Sequence, residues 1–289
     1  MYLVIDIGGT YTKYGYFYSN GNCLKKDKFL TITTDLDGFY KGITDLITDD
    51  VKGIAISMPG LIDSTNGYIE AITLLPFLVN HNIIKDLSKL TNLPISVCND
   101  AKCAALGEMW KGNLIGAQNA LLIVLGSGIG ATIIMDNQVI NSPHHKAGEI
   151  GSILMPTSND YSKMTNFGAH NNANVIIKKL SQSIGCENNG ETVFKLIHNH
   201  KAALDIFEQY CREIAFMIYN LDYILDLDIV CIGGGISEQP LLIQTIQQQF
   251  SLLRNQYKED ENEPIIKACL LHNDANLLGA LSFYNKTKG

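Results

Sequence analysis

Ile5-Asp6-Ile7-Gly8-Gly9-Thr10-Tyr11-Thr12-Lys13 decides how this 289-residue chain is read. An apolar run from Tyr2 to Ile7 carries one carboxylate near its end and breaks into Gly-Gly-Thr, and a second run, Tyr14 to Tyr18, follows at once. The pattern predicts a strand, a tight turn and a returning strand. Paired glycines let backbone approach a ligand closely and adopt positive φ at little steric cost. Turn amides, the Thr10 hydroxyl and the Lys13 ammonium suit phosphate oxygens. Asp6, at the strand end, can hold Mg²⁺ directly or through water, because hard cations take oxygen ligands. An ordinary glycine-rich hairpin has the same local pattern, so one such turn does not settle the matter.

The device recurs. Leu121 to Leu125 is another apolar run, ending in Gly126-Ser127-Gly128-Ile129-Gly130 and returning through Ala131 to Met135. Two strand–turn–strand units predict a duplicated βββ core with a cleft between its halves, each presenting one turn to a shared polyphosphate. A third turn, Gly233-Gly234-Gly235, leaves the run Ile229 to Ile232 and suits a base or ribose. Gly-Ser-Gly-Ile-Gly lacks the spacing of the dinucleotide fingerprint, and no Gly-Lys-Ser/Thr ending marks a Walker loop.

Five motifs in order carry a family resemblance. They are Asp6-Ile7-Gly8-Gly9-Thr10 with Lys13, Asn99-Asp100-Ala101, Gly126-Ser127-Gly128-Ile129-Gly130, Ala147-Gly148-Glu149-Ile150-Gly151 and Ile232-Gly233-Gly234-Gly235. Together they resemble the ROK family (repressor, open reading frame, kinase) of bacterial sugar kinases and related regulators. The resemblance runs from Met1 to about Ala280. It implies an α/β, two-domain, actin-like ATPase fold of the ribonuclease H-like, hexokinase type with a central cleft. The expected domains are 1–115, joined by a C-terminal helix 275–289, and 116–274.

The resemblance also implies site roles. Asp100 matches the catalytic aspartate, although an Asp at a strand-to-helix junction also reads locally as a helix cap. Asn99 matches a ring-hydroxyl ligand, Gly60 the turn beneath the sugar, and Glu149 a ring ligand, since a carboxylate can accept two hydroxyls at once. Asp6, Gly8, Gly9, Thr10, Lys13, Gly126, Ser127, Gly128, Gly130, Gly233, Gly234 and Gly235 are the expected ATP-binding residues, with Asp6 holding Mg²⁺.

Two departures stand out. Lys102 replaces the last Asn of the family's Asn-Asp-Ala-Asn, and Ser152 stands where Glu-x-Gly is usually followed by His. The cysteine-rich segment that supplies structural zinc in many members is missing between Ser152 and Val175, and His144, His145 and His170 do not make a zinc set by spacing. A zinc-free member is expected; zinc-free relatives include β-glucoside kinases and some N-acetylmannosamine kinases of Gram-positive bacteria.

Composition agrees with a globular enzyme: 46% hydrophobic, 18% charged, net charge −7. The acidity argues against nucleic-acid or anionic-membrane partners. Seven cysteines form no Cys-x-x-Cys pair, which points to a reduced, cytoplasmic protein, and no leader or membrane span is read. The family's usual homodimer is expected. Along the chain, Asn20-Gly21 predicts a hairpin turn into a strand near Phe29–Thr34. Asp35 is expected to cap a helix carrying Leu36, Phe39, Tyr40, Ile43, Leu46 and Ile47. Further strands are expected at Val51–Met58, Ile95–Cys98 and Ile265–Leu271. Helices are expected around Ile83–Leu90, at Asp100–Trp110, near 172–183 and 202–225, near 241–253 and at Ala275–Tyr284. Lys258–Glu263 reads as a solvated charged loop.

The function expected is an ATP-dependent hexose kinase acting on a 6-hydroxyl, with a β-glucoside such as cellobiose, N-acetylmannosamine or glucose as substrate. The alternative is a non-catalytic, sugar-sensing ROK regulator core. ROK regulators carry an N-terminal DNA-binding module, whereas Asp6 lies close to Met1; that favours the kinase.

Overall fold

In the computed structural model, which describes residues 1–155, 159–257 and 262–289, the chain divides into two units. The first comprises 1–115, 141–146 and 273–289, and the second 116–140 and 147–272. The sequence reading assigned 141–146 to the second domain; this segment instead belongs with the first unit, where Lys102 Nζ donates to Asn141 Oδ1 at 3.1 Å. Most of the expected charged loop, 258–261, lies outside the described residues.

In the first unit β1 (Tyr2–Ile7) runs antiparallel to β2 (Tyr11–Phe17), which pairs with β3 (Cys23–Leu30). Strand β2 starts at Tyr11 rather than Tyr14. Strand β3 begins right after the Asn20-Gly21 turn, where Gly21 has φ +85°, and not near Phe29. The hydropathy pattern misplaced it because β3 is an exposed edge rich in lysine, a common guard against edge pairing. Helix α1 (Leu36–Thr44) is capped by Asp35, which accepts from Gly38 N at 2.7 Å. It ends before Leu46 and Ile47.

Strand β4 (Ile54–Met58) lies parallel to β1 and is shorter than the run from Val51 suggested. A small hairpin, β5 (Leu61–Asp63) and β6 (Tyr68–Ala71), was not foreseen. Helix α2 (Ile83–Leu87) stops short of exposed Leu90. Strand β7 (Ile95–Asn99) completes the sheet order β3-β2-β1-β4-β7 and leads into α3 (Asp100–Lys111). Because β1 and β4 are buried on both faces, they read as continuous apolar runs rather than alternating ones.

In the second unit β8 (Ala120–Leu125), β9 (Ile129–Met135) and β10 (Gln138–Val139) repeat the antiparallel start. A short pair, β11 (Leu154–Met155) with β12 (Thr165–Asn166), precedes α4 (Phe167–Asn171) and α5 (Ala173–Ile184). Then come α6 (Gly190–Leu196), α7 (Lys201–Leu225), β13 (Ile229–Gly233), α8 (Pro240–Tyr257) and β14 (Ile265–Ala268). The order β10-β9-β8-β13-β14 has the same antiparallel and parallel pattern as the first sheet, as the repeated turn implied. Helix α6 was missed, and β14 ends at Ala268 rather than Leu271. Phe167, Phe207 and Phe250, all fully buried, fill this unit's core.

Helix α3 is buried almost all round, from Ala101 to Glu108. It packs on the closing helix, Ala275–Lys288, within the first unit. Glycines on both sides permit the approach. A Cβ on Gly279 would fall on the Cys103 carbonyl, and one on Gly107 on the Ala275 carbonyl. Overpacking of this kind costs typically about 1–3 kcal/mol, occasionally more. Gly279→Ala should therefore lower the urea midpoint markedly. Gly190→Ala, whose Cβ would meet only the Ile177 side chain at 3.6 Å, should scarcely move it.

Candidate active site

In the first unit three adjacent parallel strands end together. Asp6 of β1 is level with Ser57 of β4, Ser57 with Cys98 of β7, and Met58 with Asn99. Ligands in open α/β sheets bind outside such carboxyl ends. Asp6, the Pro59-Gly60 turn and Asn99-Asp100 all lie there.

Asp6 is 7% exposed, and its Oδ1 accepts from Ser57 Oγ at 2.8 Å and from Asn276 Nδ2 at 2.9 Å. Burial pushes its carboxyl above the ordinary range; the bonds from Asn276 and Ser57 and the Lys13 charge pull the other way and only partly offset it. Lys13 is level with Asp6 on β2 and donates to Asn273 Oδ1 at 3.1 Å. Gly9 and Thr10 are exposed at the turn and Gly8 is half-buried. Thr31 fastens this turn: its N donates to Thr10 O at 3.0 Å and its Oγ1 to Gly8 O at 2.7 Å. Ser57, Thr31, Asn273 and Asn276 were not singled out from the sequence. Nothing local marks them, since each acts across a large gap in the chain.

The helix cap before α3 is Asn99, not Asp100. Asn99 Oδ1 accepts from Lys102 N at 3.1 Å, and its Nδ2 donates to Gly60 O at 3.0 Å. Asn99, expected to bind a ring hydroxyl, is thus placed as a clamp between the helix start and the Gly60 turn. Gly60 has φ +112°, and a Cβ there would press on Ala71 O and Ile72, so the position requires glycine. Asp100 occupies the first helical position, half-buried, with Oδ1 accepting from Ala101 N at 2.8 Å. A carboxylate in the first turn of a helix is favoured by the helix dipole.

The second unit repeats the strand-end logic. Val124 of β8 is level with Gly233 of β13, so the Gly126–Gly130 turn and Gly233–Gly235 leave neighbouring parallel strands at the same sheet edge. Gly126 N donates to Gly128 O at 2.9 Å, and Gly126 O accepts from Ala173 N at 2.9 Å, tying the turn to the start of α5. Ser127, Gly128 and Gly235 are exposed, while Gly130 and Gly234 are half-buried. Gly234 has φ +92° and lies against the Leu125 backbone.

Glu149 sits at the centre of an inverse γ-turn, φ −72° and ψ 55°, closed by Ile150 N to Gly148 O at 2.7 Å. Its flanking glycines explain themselves: a Cβ on Gly148 would strike Ala131 O, and one on Gly151 the Ile129 carbonyl. With Ile150 buried as a plug, the half-buried Glu149 is held close against β9. Ser152 is exposed just beyond, its N donating to Glu149 O at 3.0 Å. Among the described residues no three His, Cys, Asp or Glu side chains form a metal cluster. The expectation of no zinc concerned 152–175, of which 156–158 lie outside the described residues.

The ROK family model matches residues 2–287. A beta-glucoside kinase of Klebsiella pneumoniae is 28% identical, over 97% of this chain and 95% of its own length. The crystal structure of a ROK family protein from Streptococcus pneumoniae TIGR4 in complex with sucrose superposes with TM-score 0.87 at 26% identity, covering 98% of this chain and 97% of that one. A ROK family glucokinase from Streptomyces griseus, in complex with glucose and AMPPNP, superposes with TM-score 0.82 at 20% identity, over 99% of each chain, a likeness of fold. The two-domain, actin-like, hexokinase-type architecture of this chain is that of the ROK sugar kinase structures.

The Asp6 geometry yields a test. An acid whose folded pKa is raised opposes folding when charged. Its contribution to stability therefore worsens as pH rises from the ordinary carboxylate range through the folded value. Asn at this position keeps an acceptor oxygen for Ser57 and Asn276 and carries no charge. Asp6→Asn should melt at or above the wild-type temperature at pH 7, with the gap closing toward acid pH, while turnover is lost. A variant that melts well below wild type at pH 7 would contradict this account.

Proposed function

The chain belongs to the ROK family, and from that premise we propose that it is an ATP-dependent kinase phosphorylating the 6-hydroxyl of a hexose or hexose derivative. The observation that carries the reading is the arrangement at the start of α3. Asn99 takes the capping bond, and Asp100 follows it at the first helical position, a half-buried carboxylate at the carboxyl end of a parallel strand beside Asp6's sheet edge. The kinase names of relatives and the glucose and AMPPNP bound to a protein of the same fold support it.

In this mechanism Asp100 accepts the proton of the 6-hydroxyl as that oxygen attacks the γ-phosphorus and the bond to ADP breaks. Glu149 holds ring hydroxyls, and the Gly60 turn supports the sugar. Lys13, the Gly8-Gly9-Thr10 amides and the Thr10 hydroxyl take phosphate oxygens. The Gly126–Gly130 and Gly233–Gly235 turns, with Ser127, take the rest of the nucleotide. Mg²⁺ usually keeps several waters and binds through one or two carboxylates plus phosphates, so the single buried Asp6 fits it. When bound there it would neutralise charge on the polyphosphate. Retention of Asp6, Lys13 and Asp100 together favours a kinase over a sugar-sensing regulator core. Seven free cysteines fit a cytoplasmic protein, and among the described residues no helix is long and apolar enough to cross a membrane.

For the sugar, we place the C1–C3 edge toward Glu149 and Ser152. Serine is smaller than the histidine usual at this position and leaves room for a β-linked aglycone or an N-acetyl group. The 28% identity to a beta-glucoside kinase supports the choice of a substituted hexose.

Two measurements test these claims. Asp100→Asn should keep the fold and ATP affinity and lose roughly 10²–10⁴ in kcat, the usual weight of a general base; turnover close to wild type would remove Asp100 from the chemistry. In a coupled ADP assay, cellobiose or N-acetylmannosamine should rival or exceed glucose in kcat/KM. Ser152→His should shift preference back toward glucose by roughly 10–200-fold, the weight of one pocket contact. Strong preference of the wild type for glucose, with no turnover of either larger sugar, would overturn the substrate assignment.

A further inference from the structure

Away from the strand ends, within the second unit, α4, α5 and α7 border a groove of about 750 Å³. That size falls within the range of small-molecule sites. Its floor holds polar groups whose bonding capacity is unmet. Tyr210 is 4% exposed and its Oη has no hydrogen-bond partner. Glu213, one turn further along α7, uses Oε1 to accept from Gln209 Nε2 at 2.9 Å, while its buried Oε2 has no hydrogen bond. His170 Nε2 stands 3.5 Å from that oxygen. Asn171, 2% exposed, gives its Nδ2 only to the Met155 sulfur at 3.7 Å, a weak acceptor. Leaving a buried donor or acceptor unmet costs about 1–3 kcal/mol each, so a cluster of them against an opening calls for an occupant.

The chemistry of the cluster narrows the choice. Burial pushes the Tyr210 phenol up, so it stays protonated and offers a donor, whereas the Glu213 carboxylate offers an acceptor. Glu213 and Asp205 on the wall disfavour an anion, while His170 and Lys179 blunt the pull on a cation. No three metal-ligating side chains meet among the described residues. A hydroxyl both donates and accepts, and a ring bearing several of them satisfies such a mixed set. We propose that this groove is a second carbohydrate-binding site, in which ligand hydroxyls donate to Glu213 Oε2 and accept from Tyr210 Oη and the Asn171 amide. Neither Asp100 nor Glu149 lines it, and it stands whether or not the kinase reading does.

Calorimetric titration of the full chain with cellobiose and with glucose tests the site, using wild type, Tyr210→Phe, Glu213→Gln and Glu149→Gln. One of the two sugars should bind wild type in two events. Tyr210→Phe, which removes only an oxygen, and Glu213→Gln should each weaken one event by roughly tenfold or more and leave kcat of phosphorylation unchanged. Glu149→Gln should weaken the other event. If Glu149 is not a sugar ligand, the event sensitive to Tyr210 and Glu213 remains, so the two ideas fail separately. Isotherms of Tyr210→Phe and Glu213→Gln that superpose on wild type would overturn the proposal. So would an absence of binding outside the event that Glu149→Gln alters, which would mean that ordered water alone fills the groove.

Discussion

A buried charge sets the terms for the first unit. Asp6 is the next-to-last residue of an otherwise apolar strand, and taking a carboxylate out of water is expensive unless hydrogen bonds or an ion compensate it. Two side chains lean on it, Ser57 from the neighbouring strand and Asn276 from the closing helix. That pair ties β4 and the C-terminal end of the chain to β1. The closing helix in turn fits on α3 only because Gly107 and Gly279 let the two backbones approach. A group that opposes folding when charged is thus surrounded by contacts that hold the unit together. Perturbed carboxylates of this kind cluster at functional sites.

Both sheets solve the problem of presenting turns in the same way. Each begins with an antiparallel meander and continues with parallel strands, so backbone amides accumulate at one edge. Glycine is required there for different reasons at different places. At Gly60 and Gly234 the positive φ and a facing carbonyl exclude any side chain. Gly148 combines a positive φ of +91° with the closeness of β9, whereas at Gly151 the closeness of β9 alone is the constraint; together they pin Glu149 in its γ-turn. Gly128 and Gly235 have nothing near a built Cβ; there the missing side chain leaves the backbone open.

Asn99 and Asp100 divide labour that the sequence could not divide. Both residue types are good caps, and both sit at the junction of β7 and α3. Only the path of the chain decides that Asn99 faces the Lys102 amide and reaches the Gly60 carbonyl. The Lys102 departure from the family pattern also acquires a place: its buried side chain holds Asn141, within the segment that returns to the first unit. Nothing in the residues 141–146 themselves advertises that return.

The sequence by itself determined the family and the repeated strand–turn–strand plan, and it named most of the residues proposed for the site. Those features are written in contiguous motifs: apolar runs long enough to be buried strands, and glycines where backbone must come close. It also fixed the cap at Asp35, because capping is a bond over three residues. What it misplaced was polar or short. Strand β3 is an exposed edge that carries no hydropathy signal, and the β5–β6 hairpin and α6 are too brief to show a period. Tertiary structure alone decided that Thr31, Ser57, Asn273 and Asn276 support the site and that Asn99 rather than Asp100 caps α3. It alone left Tyr210 and Glu213 unmet in their groove. The supporting contacts of Thr31, Ser57, Asn273 and Asn276, and the Gly60 carbonyl that holds Asn99, join groups across long stretches of chain, and a pairing at a distance leaves no mark in the local pattern of one sequence.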